Sequence, residues 1–252
     1  MKIFISDYDG TLNRGGGVTE KDLAALDAWQ KNGNLFGVAT GRDLRGLMNV
    51  WRRCLPLKPD FVIGGNGTQI YDQNGTRVLR YPKSGQIVPE ITHLILDRGG
   101  RIVHITAEEG KYILTLDRKI PENTKDIYFT LNNIPTPTEI YSVNTYFDSP
   151  KLSAAFCAEC CTRFPEFTAY QNTDCADIVP KGTGKAEGIA AYLNYTQLKP
   201  EMVITAGDSG NDLGMLRAYT GSTLPDADEE LRRILGEDNI YPDISAMLTR
   251  YS

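Results

Sequence analysis

Short apolar runs alternate with amphipathic stretches from the start of the chain. Lys2 to Ser6, KIFIS, is apolar and β-branched, as a buried strand requires. Thr19 and Asp22 have the spacing of a helix capping box, and Leu23, Leu26 and Trp29 follow at helical spacing until Gly33. Leu35 to Ala39 predicts a second strand. Asp43 predicts the cap of a further helix, with Leu44, Leu47, Met48, Trp51 and Leu55 on one face and Pro56 ending it. Phe61 to Ile63 predicts a third strand, running into Gly64-Gly65-Asn66-Gly67. Strand, helix, strand, helix, strand is the order of a parallel sheet with right-handed crossovers.

The rhythm changes over residues 82–176. A helix expected over Ile87 to Arg98 precedes strand-like runs at 101–105, 111–116 and 126–131, a proline-punctuated link at 134–139 and a run from Ile140 to Phe147. A helix over Leu152 to Phe164 and a strand over Phe167 to Tyr170 follow. Mixed elements with many turn residues predict an α+β module inserted into the first domain. From residue 177 the first rhythm returns: a helix opened by Lys181-Gly-Thr-Gly-Lys185 with Ile189 and Leu193 inward, a strand over Met202 to Ala206, and helices after Asp212, over Asp226 to Leu235 and over Ile244 to Leu248. The expected division is therefore a core of residues 1–81 and 177–252 around an insert of 82–176. No internal repeat or low-complexity tract interrupts it.

Composition narrows the function classes. The 252 residues are enough for one large domain or two smaller ones, and 41% hydrophobic with 23% charged residues is ordinary for a globular chain. A net charge of −5 without a block of Lys or Arg favours neither nucleic acid nor an anionic membrane. No apolar run approaches the roughly 20 residues of a membrane span, and the first residues enter a strand instead of a signal peptide, so a cytoplasmic location is expected. Five cysteines in a chain of this length read as free thiols. Cys157, Cys160 and Cys161 lie close together but lack a second Cys or His pair at zinc spacing, so they read as a helix face, and His93 and His104 read as ordinary residues of the insert.

The chemistry concentrates where strands end. Asp7 and Asp9 stand at i and i+2 after the first strand, a spacing that puts both carboxylates on one side of an extended segment. Gly10 permits a sharp turn, and Thr11 offers a hydroxyl. Paired acids repel, so the arrangement makes sense with a cation, a proton or a phosphorus centre between them. In an open parallel sheet the carboxyl ends of the strands share one edge and ligands bind there. Asp7, Thr40, Asn66 and Asp208 each follow directly after an expected strand and should converge.

These segments resemble the four signatures of the haloacid dehalogenase superfamily. Asp7-Tyr8-Asp9-Gly10-Thr11 is similar to the first, Thr40 within ATGR to the second, Lys185 within KGTGK to the third, and Gly207-Asp208-Ser209-Gly210-Asn211-Asp212 to the fourth. An insert between the second and third signatures, with GGNG after the third strand, is similar to the Cof-type subgroup, which carries a type IIB cap. The resemblance implies an α/β protein: a Rossmann-like parallel-sheet core with an inserted α+β cap, working as a Mg²⁺-dependent phosphatase on sugar phosphates or other small phosphorylated metabolites.

It also implies roles. Asp7 would be the nucleophile and Asp9 the general acid and base. Thr40 would bind a phosphoryl oxygen, and Lys185 would balance charge, with Lys181 as its competitor. Metal ligands would be Asp7, Asp208, the backbone carbonyl of Asp9 and, directly or through water, Asp212. Gly41, Arg42, Asn66 and Asn211 are further candidates for phosphate or substrate contacts; Asp212 and Asn211 are alternatively readable as helix caps, for Asn211 about evenly with substrate contact. Two departures bear on the substrate. Tyr8 stands where Leu is more usual in the subgroup, as also seen in trehalose-phosphate phosphatases, and Gly221 to Pro225 lacks the subgroup's glycine-alanine-methionine pattern. A phosphotransferase or mutase, a trehalose- or sucrose-phosphate phosphatase-like enzyme, and a non-enzymatic sensor of phosphorylated metabolites are the competing readings. The expected partner is a small phosphate ester, with the chain a monomer or weak homodimer.

Overall fold

The computed structural model describes residues 1–48, 58–115 and 124–252. The chain separates into two compact units, Met1–Arg80 with Gly184–Ser252, and Tyr81–Thr183.

The first unit opens with β1 (Lys2–Ser6), the helix Glu20–Lys31, β2 (Leu35–Ala39) and β3 (Phe61–Gly64). Thr19 caps the first helix as its spacing predicts: its Oγ1 accepts from the Asp22 N–H at 3.1 Å and donates to Asp22 Oδ2 at 2.8 Å. The helix expected from Asp43 is present at residues 44–48, and its expected remainder lies outside the described residues. A hairpin not expected from the sequence follows, β4 (Gln69–Asp72) and β5 (Arg77–Arg80). Polar residues at Gln69, Asp72, Arg77 and Arg80 break up its apolar pattern, and Asp72 Oδ1 closes its turn by accepting from the N–H groups of Asn74 and Thr76, both at 2.9 Å.

The second unit contains β6 (Lys83–Ser84), the helix Val88–Asp97, β7 (His104–Ala107), β8 (Lys111–Leu114), β9 (Ile127–Phe129), β10 (Glu139–Tyr146), the helix Pro150–Arg163, β11 (Phe167–Asn172) and β12 (Cys175–Pro180). The sheet order is β11-β12-β10-β7-β8-β9, with β6 beside β10. Alternation sorts its faces. Ile105, Val143 and Ile178 share a dry core with Ile91, Ile95, Phe156 and Cys160 of the two helices. Their neighbours His104, Asn144 and Asp177 pair in register with one another, and Asn144 Nδ2 donates to Asp177 Oδ1 at 2.5 Å. The junction expected at 176/177 falls instead at 183/184, because residues 175–180 form β12 of this sheet.

The chain then returns to the first unit through the helix Lys185–Thr196, β13 (Met202–Ala206), the helix Leu213–Ala218, β14 (Thr220–Ser222), and the helices Glu229–Leu235 and Ile244–Tyr251. The first sheet runs β14-β13-β1-β2-β3-β4-β5. Its first five strands are parallel, and the hairpin adds two antiparallel ones. β14, Thr-Gly-Ser, carries no large apolar residue and is invisible to periodicity.

Both faces of this sheet are covered. Phe4, Phe36 and Val38 pack with Leu26, Trp29, Ile244, Met247 and Leu248 on one side. Ile3, Ile5, Phe61 and Ile63 pack with Ile189, Tyr192, Met215 and Leu216 on the other. Each such fully buried side chain contributes on the order of 1.5–3 kcal/mol. Leu193 packs partly buried against this core as expected, and Tyr192, which periodicity did not single out, is buried deeper in it, its ring stacking on Phe61 at 3.9 Å. Among the described residues no helix is long and apolar enough to cross a membrane.

Candidate active site

The parallel ladder continues one residue past its strands and so fixes the residues that follow them. The Asp7 N–H donates to Ala206 O at 2.8 Å, Thr40 N–H to Ile63 O at 2.8 Å and Asn66 N–H to Thr40 O at 3.0 Å. Asp7, Thr40, Asn66 and the Gly207–Asp212 loop thereby meet at one sheet edge, as their positions after strands predict.

At the centre Lys185 Nζ donates to Asp7 Oδ1 at 2.6 Å and to Asp212 Oδ1 at 2.5 Å. All three side chains are buried. The other oxygen of Asp212 accepts from the N–H groups of Asp208 and Ser209, at 3.0 and 3.1 Å, so Asp212 ties the late loop to the lysine. Thr11 Oγ1 donates to Asp208 Oδ1 at 2.6 Å, and the Asp208 carboxylate brings an oxygen within 4.8 Å of one of Asp7. Lys181, the alternative lysine, is exposed in the other unit.

Burial and crowding set the electrostatics. Burial raises the Asp7 carboxyl well above the usual carboxylate range, against the pull of Lys185 and with the push of Asp212 and Asp208. Burial also lifts Asp208 to about 6, with the Thr11 hydroxyl pulling it down and Asp212 pushing it up. For Lys185 burial acts downward, but Asp212 and Asp7 together outweigh it and the ammonium is held above its ordinary range.

Asp7, Asp208 and Asp212 each bring a carboxylate oxygen within 4.8 Å of the others, so together they could hold a metal ion. Three carboxylates facing one ammonium leave a surplus of negative charge, and the donors are hard oxygens, which fits a divalent cation of the Mg²⁺ type. Gly10 is required beside them. Its φ is +89°, and a Cβ there would fall on the Asp208 carboxylate.

Around this cluster, Asp9 lies at the exposed side. Its carboxylate receives two hydrogen bonds from Arg42, Nε to Oδ2 at 2.6 Å and Nη2 to Oδ1 at 2.9 Å. Thr40 Oγ1 accepts from the Arg42 N–H at 3.1 Å. Asn66, buried with a left-handed φ of 52°, accepts from Asn211 Nδ2 at 3.4 Å. Asn211 Oδ1 in turn accepts from Ser209 Oγ at 2.8 Å, and Ser209, not Asn211, caps the short turn Gly210–Asp212. Sequence reasoning noted the Thr11 hydroxyl without giving it a partner, and it did not single out Ser209. The DGT and GDS contexts were the available signals, since a hydroxyl beside each acid is a ready partner for a carboxylate or a turn N–H.

A family model for haloacid dehalogenase-like hydrolases matches residues 4–234. A Streptococcus pyogenes serotype M6 protein bearing the name of a bifunctional phosphatase/peptidyl-prolyl cis-trans isomerase is 26% identical over 229 residues, covering 89% of this chain and 47% of that protein. The chain spans about half the length of the curated relatives it matches. Among solved structures, a haloacid dehalogenase-like hydrolase from B. subtilis superposes with a TM-score of 0.83 at 18% identity, covering 100% of both chains. A structure described as a HAD subclass IIB sugar phosphatase gives 0.79 at 18% identity, covering 100% of this chain and 99% of the other. These two likenesses establish the shared fold. With the family match across both ends of the sheet and all four site loops, the chain belongs to the haloacid dehalogenase-like hydrolases.

Proposed function

We propose that the chain is a phosphatase that hydrolyses small phosphorylated metabolites, sugar phosphates foremost, with Mg²⁺ and through a phosphoryl-aspartate on Asp7. The observation that carries this reading is the cluster in which buried Lys185 bridges buried Asp7 and Asp212 while half-buried Asp208 brings a carboxylate oxygen within 4.8 Å of theirs. Such a set suits a centre that must receive a phosphate dianion beside a nucleophilic carboxylate. The name of the streptococcal relative and the description of the subclass IIB structure support the choice of reaction and of sugar phosphates.

Bound by Asp7, Asp208, the Asp9 carbonyl and, directly or through water, Asp212, Mg²⁺ would supply positive charge to a phosphoryl group. The chain does the rest. An Asp7 oxygen attacks phosphorus, the O–P bond forms as the ester P–O bond breaks, and Asp9 gives its proton to the departing alcohol. Water then attacks the same phosphorus, Asp9 takes the proton from that water, and the Asp7 carboxylate and inorganic phosphate are released. Thr40 donates its hydroxyl to a phosphoryl oxygen, and Lys185 balances charge on Asp7 as it is esterified. Gly41, Arg42, Asn66 and Asn211 are assigned to the rim of the phosphate site. The first unit carries this chemistry, and the inserted unit is assigned the selection of the leaving group.

The test is a panel of phosphorylated metabolites, with and without Mg²⁺, on the wild type and Asp7→Asn. Turnover that needs Mg²⁺ and disappears in a folded Asp7→Asn protein is expected. Wild-type rates in folded Asp7→Asn would overturn the nucleophile assignment.

A further inference from the structure

Asp9 and Arg42 are held more tightly than a loop carboxylate and a solvent-facing arginine need to be. The guanidinium meets the carboxylate side-on through two nearly parallel hydrogen bonds of 2.6 and 2.9 Å, the fork geometry only arginine can form. Its central carbon lies 5.9 Å from the centroid of the Tyr8 ring, within cation–π range, and Tyr8 is fully buried. The Arg42 main chain is fixed as well, its N–H on Thr40 Oγ1 at 3.1 Å and its carbonyl accepting from the Gly65 N–H at 2.8 Å. The Asp9 turn is closed from its own side, with Asn13 N–H on Tyr8 O at 2.8 Å and Gly10 N–H on Asn13 O at 2.9 Å.

We propose that Arg42 is a positioning residue for Asp9 and that Tyr8 is the platform on which it is held. The inference rests on the reading of Asp9 as the group that exchanges a proton with the leaving alcohol and the attacking water. Proton transfer requires the carboxyl oxygen within hydrogen-bond reach of the ester oxygen, and small misplacements are expensive in rate. A single contact would leave the carboxylate free to swing about Cβ–Cγ, whereas a fork fixes both oxygens. The pair does not owe its existence to stability, because exposed ion pairs add little. Its side chains remain 40% and 46% open, so the fork directs the carboxylate without sealing it from a proton donor or acceptor. Tyr8 stands at the second position of the opening signature, where the resembled subgroup more usually has Leu, and the aromatic face gives that difference a use.

The test compares kcat/KM for p-nitrophenyl phosphate, whose leaving group departs without a proton, with that for phenyl phosphate, whose leaving group needs one more. Arg42→Lys, which keeps the charge and loses the fork, is expected to raise this ratio at least about tenfold. Tyr8→Leu keeps the burial, removes the ring face and moves the ratio the same way, and it carries the test if Arg42→Lys does not fold. In an Asp9→Asn background, Arg42→Lys should add no further change. Equal losses on both esters, an unchanged ratio, or an effect that persists undiminished beside Asp9→Asn would overturn the positioning role. A wild type that turns over neither ester with Mg²⁺ overturns the phosphatase reading and this inference together, whereas an active wild type with an unmoved ratio overturns only the inference.

Discussion

The Lys185 ammonium stands 2.6 Å from Asp7 Oδ1 although 178 positions separate the two residues in the chain. Only 1% and 7% of the two side chains is exposed, so the contact is a buried charge pair and not a surface ornament. Removing one partner from such a pair strands the other, at a cost of about 3–5 kcal/mol. Lys185→Met should therefore be strongly destabilised in metal-free buffer at pH 8. A proton or a divalent cation can substitute for the missing ammonium, so the deficit should shrink at pH 5 or with added Mg²⁺. Urea midpoints under the three conditions measure this, and identical deficits in all of them would contradict the shared-charge account.

Asp208 gives a pH dependence with a definite sign. Its carboxyl is lifted from 3.8 to about 6, chiefly by burial, so the folded state holds that proton more tightly than the unfolded chain does. Between pH 7 and pH 4 this group makes metal-free protein more stable as pH falls, and below pH 4 it adds nothing further. Asp7, raised by burial, acts in the same direction. Mg²⁺ would compete with these protons, so its affinity should weaken below about pH 6, by roughly tenfold per pH unit for each proton displaced. Calorimetric titration at pH 7.5 and 5.5 checks it, and equal affinities would count against the acids as ligands.

Gly67 is a packing prediction. Its φ is +90°, and a Cβ there would run into the carbonyl of Gly184, the residue before Lys185. The obstacle is backbone and cannot swing aside. Gly67→Ala should lose on the order of 3 kcal/mol of stability and lower turnover by displacing the lysine. Thermal melting together with turnover under saturating substrate tests both halves, and a variant with native melting temperature and rate would refute the claim.

The cysteine cluster behaves as a helix face. Cys157 and Cys160 lie in the core of the second unit, and burial pushes both thiols up to about 12, so little thiolate exists at neutral pH. Cys161 is exposed on the same helix. Native iodoacetamide labelling read by mass spectrometry should modify Cys161 first and reach Cys157 and Cys160 only on unfolding. Rapid native labelling of the buried pair would show that the helix opens.

Much of the site was legible because topology does the assembling. Asp7, Thr40, Asn66 and Asp208 each follow an apolar strand, and polarity alone brings strand ends to one edge. Lys185 was separable from Lys181 by its place at the head of a helix, and it is the one of the two that is buried against Asp7 and Asp212. The Arg42–Asp9 fork was not legible, since nothing in either loop records which surface charge a side chain 33 positions away will meet. The Thr11–Asp208 bond was hidden for the same reason. Strands without an apolar pattern were missed as a class: β14 is Thr-Gly-Ser, the β4–β5 hairpin alternates with arginine and aspartate, and β12 begins with a cysteine and ends in proline. Their pairing is decided by neighbours in the sheet, not by local preference. Overlooking β12 also displaced the expected junction between the units.

β1 sits between β2 and β13, so one flank of the first strand is completed by residues 202–206. During translation at about 5–20 residues per second, that flank stays open until residues 202–206 have left the ribosome. A nascent chain arrested before Gly207 carries Asp7 but neither Asp208 nor Asp212, and it would lack the acidic cluster. The acidic cluster is thus assembled well after Asp7 is made, and its formation reports the closing of the sheet.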